Sequence, residues 1–424
     1  MIKTFYLFIL FTFAFYCNSG AQISIDGEIR PRTEYRQGFR KPLADSLSPS
    51  FLTLQRTRFS AEYKSESLEA KICLQDSRIW GKSDTKMSDS KIEIYEAWAE
   101  LFFNPRLNLR LGRQPLKYDD QRLLGSAQNW SNTGLAHDLV LIKYSSPSKF
   151  QVHAGAAFNN SKDTLMDVAY TTKQMYKTMG FFWLSKEFTN SWNITTVAIS
   201  EGLQKQSEDL PVYLRFTCGG NLNYFNDSSK FGLNATAYYQ LGKNLYFADL
   251  EAYLLAIKIS YKFYKTQCAV LGFEYYSGSK YDLSQDVSHT FSKLYGVNHS
   301  FNGFMEYWAS LPKSGLKDYY LGLKGKINSK LSLDLYFHYF EFAQKFIKKN
   351  DFLNSHVGSE LDVVMNYNLK QEIAFQAGYC AFINSSSTNE YFGITEAKPF
   401  PSQWIYIMTT IKLNFFKSSI KKQS

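Results

Sequence analysis

The stretch Asp26-Gly27-Glu28-Ile29-Arg30-Pro31-Arg32-Thr33-Glu34-Tyr35-Arg36 alternates charged and uncharged residues without a break. A period of two is the side-chain period of a strand, so one face carries six charges and the other carries none. In a soluble sheet the charged face would lie outside, with a core of Ile and Val behind it. Here the opposite face is only weakly apolar: Ile25, Gly27, Ile29, Pro31, Thr33 and Tyr35. That suits a strand of an outer-membrane barrel, with its charges in a wet lumen and its neutral face toward lipid.

What precedes the stretch agrees with export. Residues 1–21 read as a signal peptide: Lys3 supplies the positive start, residues 5–16 are apolar or Thr, and Ser19-Gly20-Ala21 offers small residues for cleavage. The run is too short for a membrane helix. A lipoprotein reading through Cys17 is weakened by the bulky Phe15 and Tyr16 before it. Mean hydropathy is −0.30, yet 17% of the chain is aromatic. Low hydropathy with many Tyr and Phe is odd for a globular core, although a large secreted β-sandwich remains the competitor. It is expected where alternate strand residues face lipid between aromatic girdles. Cys73, Cys218, Cys268 and Cys380 show no CxxC spacing, so neither a disulfide framework nor a metal site is expected.

After the signal, segments of about ten residues are joined alternately by short and long connections. The short ones, rich in turn formers, fall at 65–67, 104–106, 145–149, 189–191, 226–229, near Tyr264, 328–330 and 368–370. The long ones span 37–51, 81–90, 116–136, 159–178, 201–212, 242–248, 278–316, 343–355 and 383–401. Eight short and nine long connections imply a transmembrane antiparallel β-barrel of about 18 strands, with short periplasmic turns and long extracellular loops. Sixteen is the neighbouring even number that boundary shifts of ~2–4 residues would allow. One domain is expected, 22–416, followed by a basic tail, 417–424. The last segment sets Ile405, Ile407, Ile411, Leu413 and Phe415 against Tyr406, Thr410, Lys412 and Asn414. It resembles the closing-strand signal read by barrel-assembly machinery.

Eleven of the twelve arginines lie between Arg30 and Arg122. Arg keeps its charge and binds planar carboxylates bidentately, which suits a path for carboxylated or phosphorylated solutes. The candidate lining is Arg30, Arg32, Arg56, Arg58, Arg78, Arg110, Arg113 and Arg122. Glu28, Glu34, Asp76, Glu96, Glu100, Asp119 and Asp120 are the orienting partners. Between Asp26 and Arg122, however, 15 acidic residues accompany 18 basic ones. Charge ladders that only brace the wall are the competing reading, since half-buried charges normally pair. The loop at 116–136, with charged and apolar residues interleaved, is a candidate to fold inward and narrow the pore.

Several short matches in order resemble the alginate-export family of outer-membrane channels. They are Gly27 to Arg32, Gln55 to Arg58, Leu74 to Gly81, Glu96-Ala97-Trp98, Leu111 to Gln114, Tyr118 to Gly125 and His137-Asp138. The likeness is dense over 25–145 and returns at Gly315 to Tyr319 and in the closing segment. It implies an 18-stranded barrel that passes an acidic exopolysaccharide through an arginine-lined constriction. The near-balanced charge of the first hundred residues departs from that picture.

The expected function is a passive, porin-like channel for anionic sugars or acidic oligo- and polysaccharides in the outer membrane of a Gram-negative bacterium. Its expected partners are outer-membrane lipid and lipopolysaccharide, the assembly machinery, and anionic carbohydrate or other small anions. A net charge of +10 favours anions. No cofactor is expected. A structural or adhesive barrel is the alternative. A barrel enzyme is disfavoured, because no nucleophile motif accompanies His137-Asp138 and neighbours on a strand face opposite ways. Nucleic-acid binding has no motif behind it, the basic residues being dispersed on strands.

Overall fold

The computed structural model describes residues 21–82, 92–166, 168–170, 172, 175–189, 191–205, 211–225, 229–280, 286–348, 351–396 and 401–418. The signal-peptide reading, most of the 81–90 loop and the end of the basic tail lie outside the described residues. The strands in chain order begin with β1 (Gln22–Gln37), β2 (Ser50–Lys64), β3 (Leu68–Ile79), β4 (Glu93–Asn104), β5 (Leu107–Gln114) and β6 (His137–Ser145). There follow β7 (Phe150–Phe158), β8 (Thr178–Glu187), β9 (Trp192–Leu203), β10 (Tyr213–Tyr224), β11 (Phe231–Lys243), β12 (Asp249–Tyr264) and β13 (Gln267–Tyr276). The last are β14 (Val287–Ser288), β15 (Leu316–Lys326), β16 (Leu331–Phe342), β17 (Ile347–Lys348), β18 (Asp351–Phe352), β19 (His356–Asn368), β20 (Ile373–Ile383) and β21 (Ser402–Lys417).

Eighteen of these form one closed antiparallel barrel, with β14, β17 and β18 as two-residue pieces of loops. Closure is made by β1 against β21, from Ser24 opposite Lys417 to Gln37 opposite Gln403. The closed ring leaves no edge, so each strand's backbone groups find partners within the lipid. Strand pairing runs past the expected boundary at 416: Lys417 belongs to β21, and Ser418 exchanges hydrogen bonds with Ile23.

Local chemistry sets the turns. Asn104 Oδ1 accepts from the N–H groups of Arg106 and Leu107, and Asn328 does the same for Lys330 and Leu331. Such side-chain turns let two strands reverse in three residues. The alternation of β21 also holds in space. Ile405 and Ile407 are exposed to the lipid side, while Trp404, Tyr406 and Met408 are buried inside.

The interior is not a plain wet lumen. The loop at 115–136 and residues 286–315 of the later long loop both fold into the barrel and join edge to edge. Tyr295 N–H donates to Leu123 O at 3.0 Å, Gly125 N–H to Tyr295 O at 3.0 Å, and Val297 N–H to Gln121 O at 2.9 Å. Leu116, Leu124, Met305 and Trp308 from these loops are fully buried against inward-facing strand residues such as Leu254, Phe340 and Phe382. Each such side chain stabilises the docked loop by roughly 1.5–3 kcal/mol over an exposed one. Among the described residues, six of the nine non-glycine residues with positive φ belong to these loops: Asp119, Gln121, Ala127, Leu294, Asn302 and Glu306. Backbone of this kind costs about 1–2 kcal/mol per residue and persists only where packing over-determines it. A short helix, Ser386–Phe392, started by a Ser385/Thr388 capping box, sets Tyr391 and Phe392 against Trp308.

Candidate functional site

The arginine block meets the first inner loop. Arg30 donates through Nη1 to the carbonyls of Gln128 (3.2 Å) and Asn129 (2.9 Å), and through Nη2 to Trp130 (3.2 Å) and Ser131 (2.5 Å). Arg56 Nη1 reaches Gln128 O and Ser131 O at 2.8 and 2.9 Å, Arg32 Nη1 reaches Trp130 O at 2.8 Å, and Arg58 Nη2 reaches Thr133 O at 3.3 Å. Ser77 Oγ donates to Asn132 O at 2.7 Å. Six consecutive carbonyls, 128 to 133, therefore point at the wall and find donors there. Guanidinium suits this because its N–H groups are a fixed fork. The period of two made the charged face; the bare carbonyls of a loop with no secondary structure give it a load.

The carboxylates hold the arginines in place. Glu28 pairs with Arg56 at 2.6 Å. Glu34 bridges Arg32 and Arg36 and accepts from Trp404 Nε1 at 2.8 Å. Glu100 joins Arg110 to Lys143, and Glu96 pairs with Lys71 at 3.3 Å. Arg122, carried inward by the loop, forks onto Glu274 of β13 at 2.7 and 3.0 Å and onto Asp120 at 3.0 Å. Asp119 accepts from Trp183 Nε1 at 2.9 Å, and burial pushes its carboxyl above the usual range.

Three of the candidate residues face the other way. In the register, Asp76 lies opposite Thr57 and Arg78 opposite Gln55, on the face that carries Phe59 and Ile72. These two pair with each other at 2.6 Å outside the barrel. Arg113 pairs with Asp138 at 2.9 Å on the face shared with Val140 and Ile142. The reason is parity: Arg113 stands three residues from the inward Arg110, and a strand alternates every residue. His137, by contrast, turns inward to Tyr176, with 2.9 Å between Nδ1 and the hydroxyl. The His137-Asp138 neighbours thus do not share a site.

The second inner loop carries residues that sequence reasoning left out. His299 stacks between Trp130 (3.6 Å between ring centroids) and Phe304 (4.8 Å). Glu306 accepts from Arg40 and from Trp130 Nε1 and stands 3.4 Å from His299. Burial alone would raise its carboxyl, but His299 and the Arg40 guanidinium outweigh that and hold it down at about 2. Glu360 Oε1 accepts from Met305 N–H at 2.7 Å, and Asp362 from Phe304 N–H at 3.3 Å. One signal was available: Phe301 to Trp308 is strongly aromatic in the middle of a connection far longer than a solvated turn needs.

The joined loops divide the space that remains. On the side of the short turns, Lys71, Arg110, Lys117 and Lys143, with Glu96, line a cavity of about 310 Å³. On the side of the long loops, a chamber of about 1060 Å³ opens among residues of 244–248, 279–280, 287–298, 309–314 and 345–347. Cations outnumber acids in both.

A family model described as alginate export matches residues 21–384. The chain belongs to the alginate export family. Curated protein sequences give no match. This alginate-export barrel superposes on solved outer-membrane channels at low identity. Pseudomonas aeruginosa OccK9 (OpdG) is 11% identical with a TM-score of 0.62, covering 93% of this chain and 98% of that one. Acinetobacter baumannii OccAB1 is 12% identical with a TM-score of 0.61, covering 93% and 97%. An OccD1 (OprD) variant is 11% identical, again with a TM-score of 0.61, covering 93% and 96%. Likeness at this identity establishes the fold, an outer-membrane barrel of the porin type.

Proposed function

We propose that this barrel passes anionic sugars passively, through a constriction formed where the arginine-clamped loop meets the second inner loop. The observation that carries the reading is the surplus of cations in both cavities flanking that junction. In a narrow, low-dielectric passage a one-signed lining concentrates the opposite ion. Arg30, Arg32, Arg56, Arg58 and Arg122 act by holding the loops, and Arg110 with Lys71, Lys117 and Lys143 faces the solute. The surroundings would be the outer membrane of a Gram-negative cell. Lipopolysaccharide would meet the outward Asp76–Arg78 and Arg113–Asp138 pairs, and assembly machinery would read β21.

The test is liposome swelling with glucuronate against glucose, together with the reversal potential in a planar-bilayer salt gradient. Anion selectivity and faster glucuronate entry are expected; cation selectivity would overturn the reading. The packed inner loops favour a second reading, a structural barrel without transport. Complete absence of conductance in a correctly folded preparation would establish it.

A further inference from the structure

The larger chamber lies on the side of the long loops, away from the arginine block, and is built from different residues. Lys280, Lys313 and Lys345 stand at its wall, all exposed, and none of the three is ion-paired among the described residues. No Asp or Glu is found among the described residues that line it. Deeper in, Lys293 is held by Asn302 Oδ1 and Trp308 O, each at 2.7 Å, and burial lowers its ammonium to about 7. Arg215, which also lines the chamber, is by contrast matched: it forks onto Glu201 at 2.9 and 3.0 Å. Three unmatched lysines around one cavity repel one another, and a bound anion removes that cost.

The lining also carries groups for the uncharged part of a sugar. Tyr246 and Phe346 offer ring faces for the apolar side of a pyranose. Asn298 offers an amide donor and acceptor for hydroxyls, Asn244 offers its amide N–H groups while its Oδ1 accepts from Tyr246 and Ala248 N–H, and among the described residues the buried Ser314 hydroxyl has no partner. The chamber, at about 1060 Å³, lies just above the usual range of ligand pockets, about 300–1,000 Å³. Lysine binds carboxylate and sulfate alike as a point charge, so the shared chemistry is an anionic oligosaccharide.

We propose that this chamber is a capture site for a carboxylated or sulfated oligosaccharide arriving from outside the cell, ahead of the loop junction. The proposal rests on the channel reading and adds a side: solute is bound first at the extracellular mouth. The experiment uses the full-length barrel in detergent, titrated with a uronic-acid tetramer, a sulfated tetramer and neutral maltotetraose. One of the anionic tetramers binds and maltotetraose does not; the tighter of the two names the anion. The variant K280Q/K313Q/K345Q loses about tenfold in affinity at low salt. The variant K326Q/K330Q, at an exposed short turn away from both cavities, keeps wild-type affinity. Unchanged affinity in the triple variant, or an equal loss in the K326Q/K330Q variant, overturns the capture site. Equal binding of maltotetraose overturns it as well. Bilayer conductance of the same preparations separates the two levels: a conducting barrel that binds neither anionic tetramer sinks the capture site alone, whereas a barrel that never conducts sinks the channel.

Discussion

Replacing Arg30 and Arg56 by Gln, singly and together, tests whether the arginine block holds the inner loop. Two of the four carbonyls that Arg30 contacts, Gln128 and Ser131, also receive Arg56, and Trp130 also receives Arg32. Only the Asn129 carbonyl depends on Arg30 alone. These bonds are part-buried, and losing a charged donor costs about 1–3 kcal/mol per carbonyl, so Arg30→Gln should cost about that much. The double substitution orphans the carbonyls of Gln128, Asn129 and Ser131 together, for about 3–9 kcal/mol, and frees Glu28 as well. The pair should therefore weaken the loop by more than the sum of the single changes. Each 1.4 kcal/mol is tenfold, so hydrogen exchange of residues 126–135 should speed by roughly a hundredfold or more in the double variant. Single-channel conductance should rise or turn noisy as the loop leaves the constriction. A folded double variant with wild-type exchange and conductance would refute the clamp.

Two further substitutions probe the second loop. Gly303 has φ +82°, and a Cβ there would sit 2.4 Å from a Glu360 carboxylate oxygen. Gly303→Ala should undock 286–315 at a cost of about 1–3 kcal/mol, seen as faster exchange there with the heat-modifiable band of the barrel on gels intact. Glu306 is held at about 2 against an ordinary value of 4.5. A depressed carboxyl contributes stability above its unfolded value and loses it as pH falls through the folded one. Trp130 fluorescence should thus change between about pH 4.5 and 2, and Glu306→Gln should flatten that window.

The barrel was legible because it is written in local terms. Period-two alternation and the short turns each occupy a few neighbouring residues, and the six expected turns that lie wholly within the described residues stand where turn formers mark them. Parity was legible too, and it places Arg113 outside where a reading by residue type had put it in the lumen. What tertiary structure alone decided is the use of the lumen. The donors of β1 and β2 meet carbonyls about 70–100 residues away, Arg40 meets Glu306 across 266 residues, and the two inner loops pair edge to edge. No period links such partners, because backbone carbonyls look the same in every sequence and a loop's position depends on closure of the whole ring. Local alternation makes a charged wall; closure of the barrel turns that wall onto its own loops and leaves a lysine-lined chamber above them.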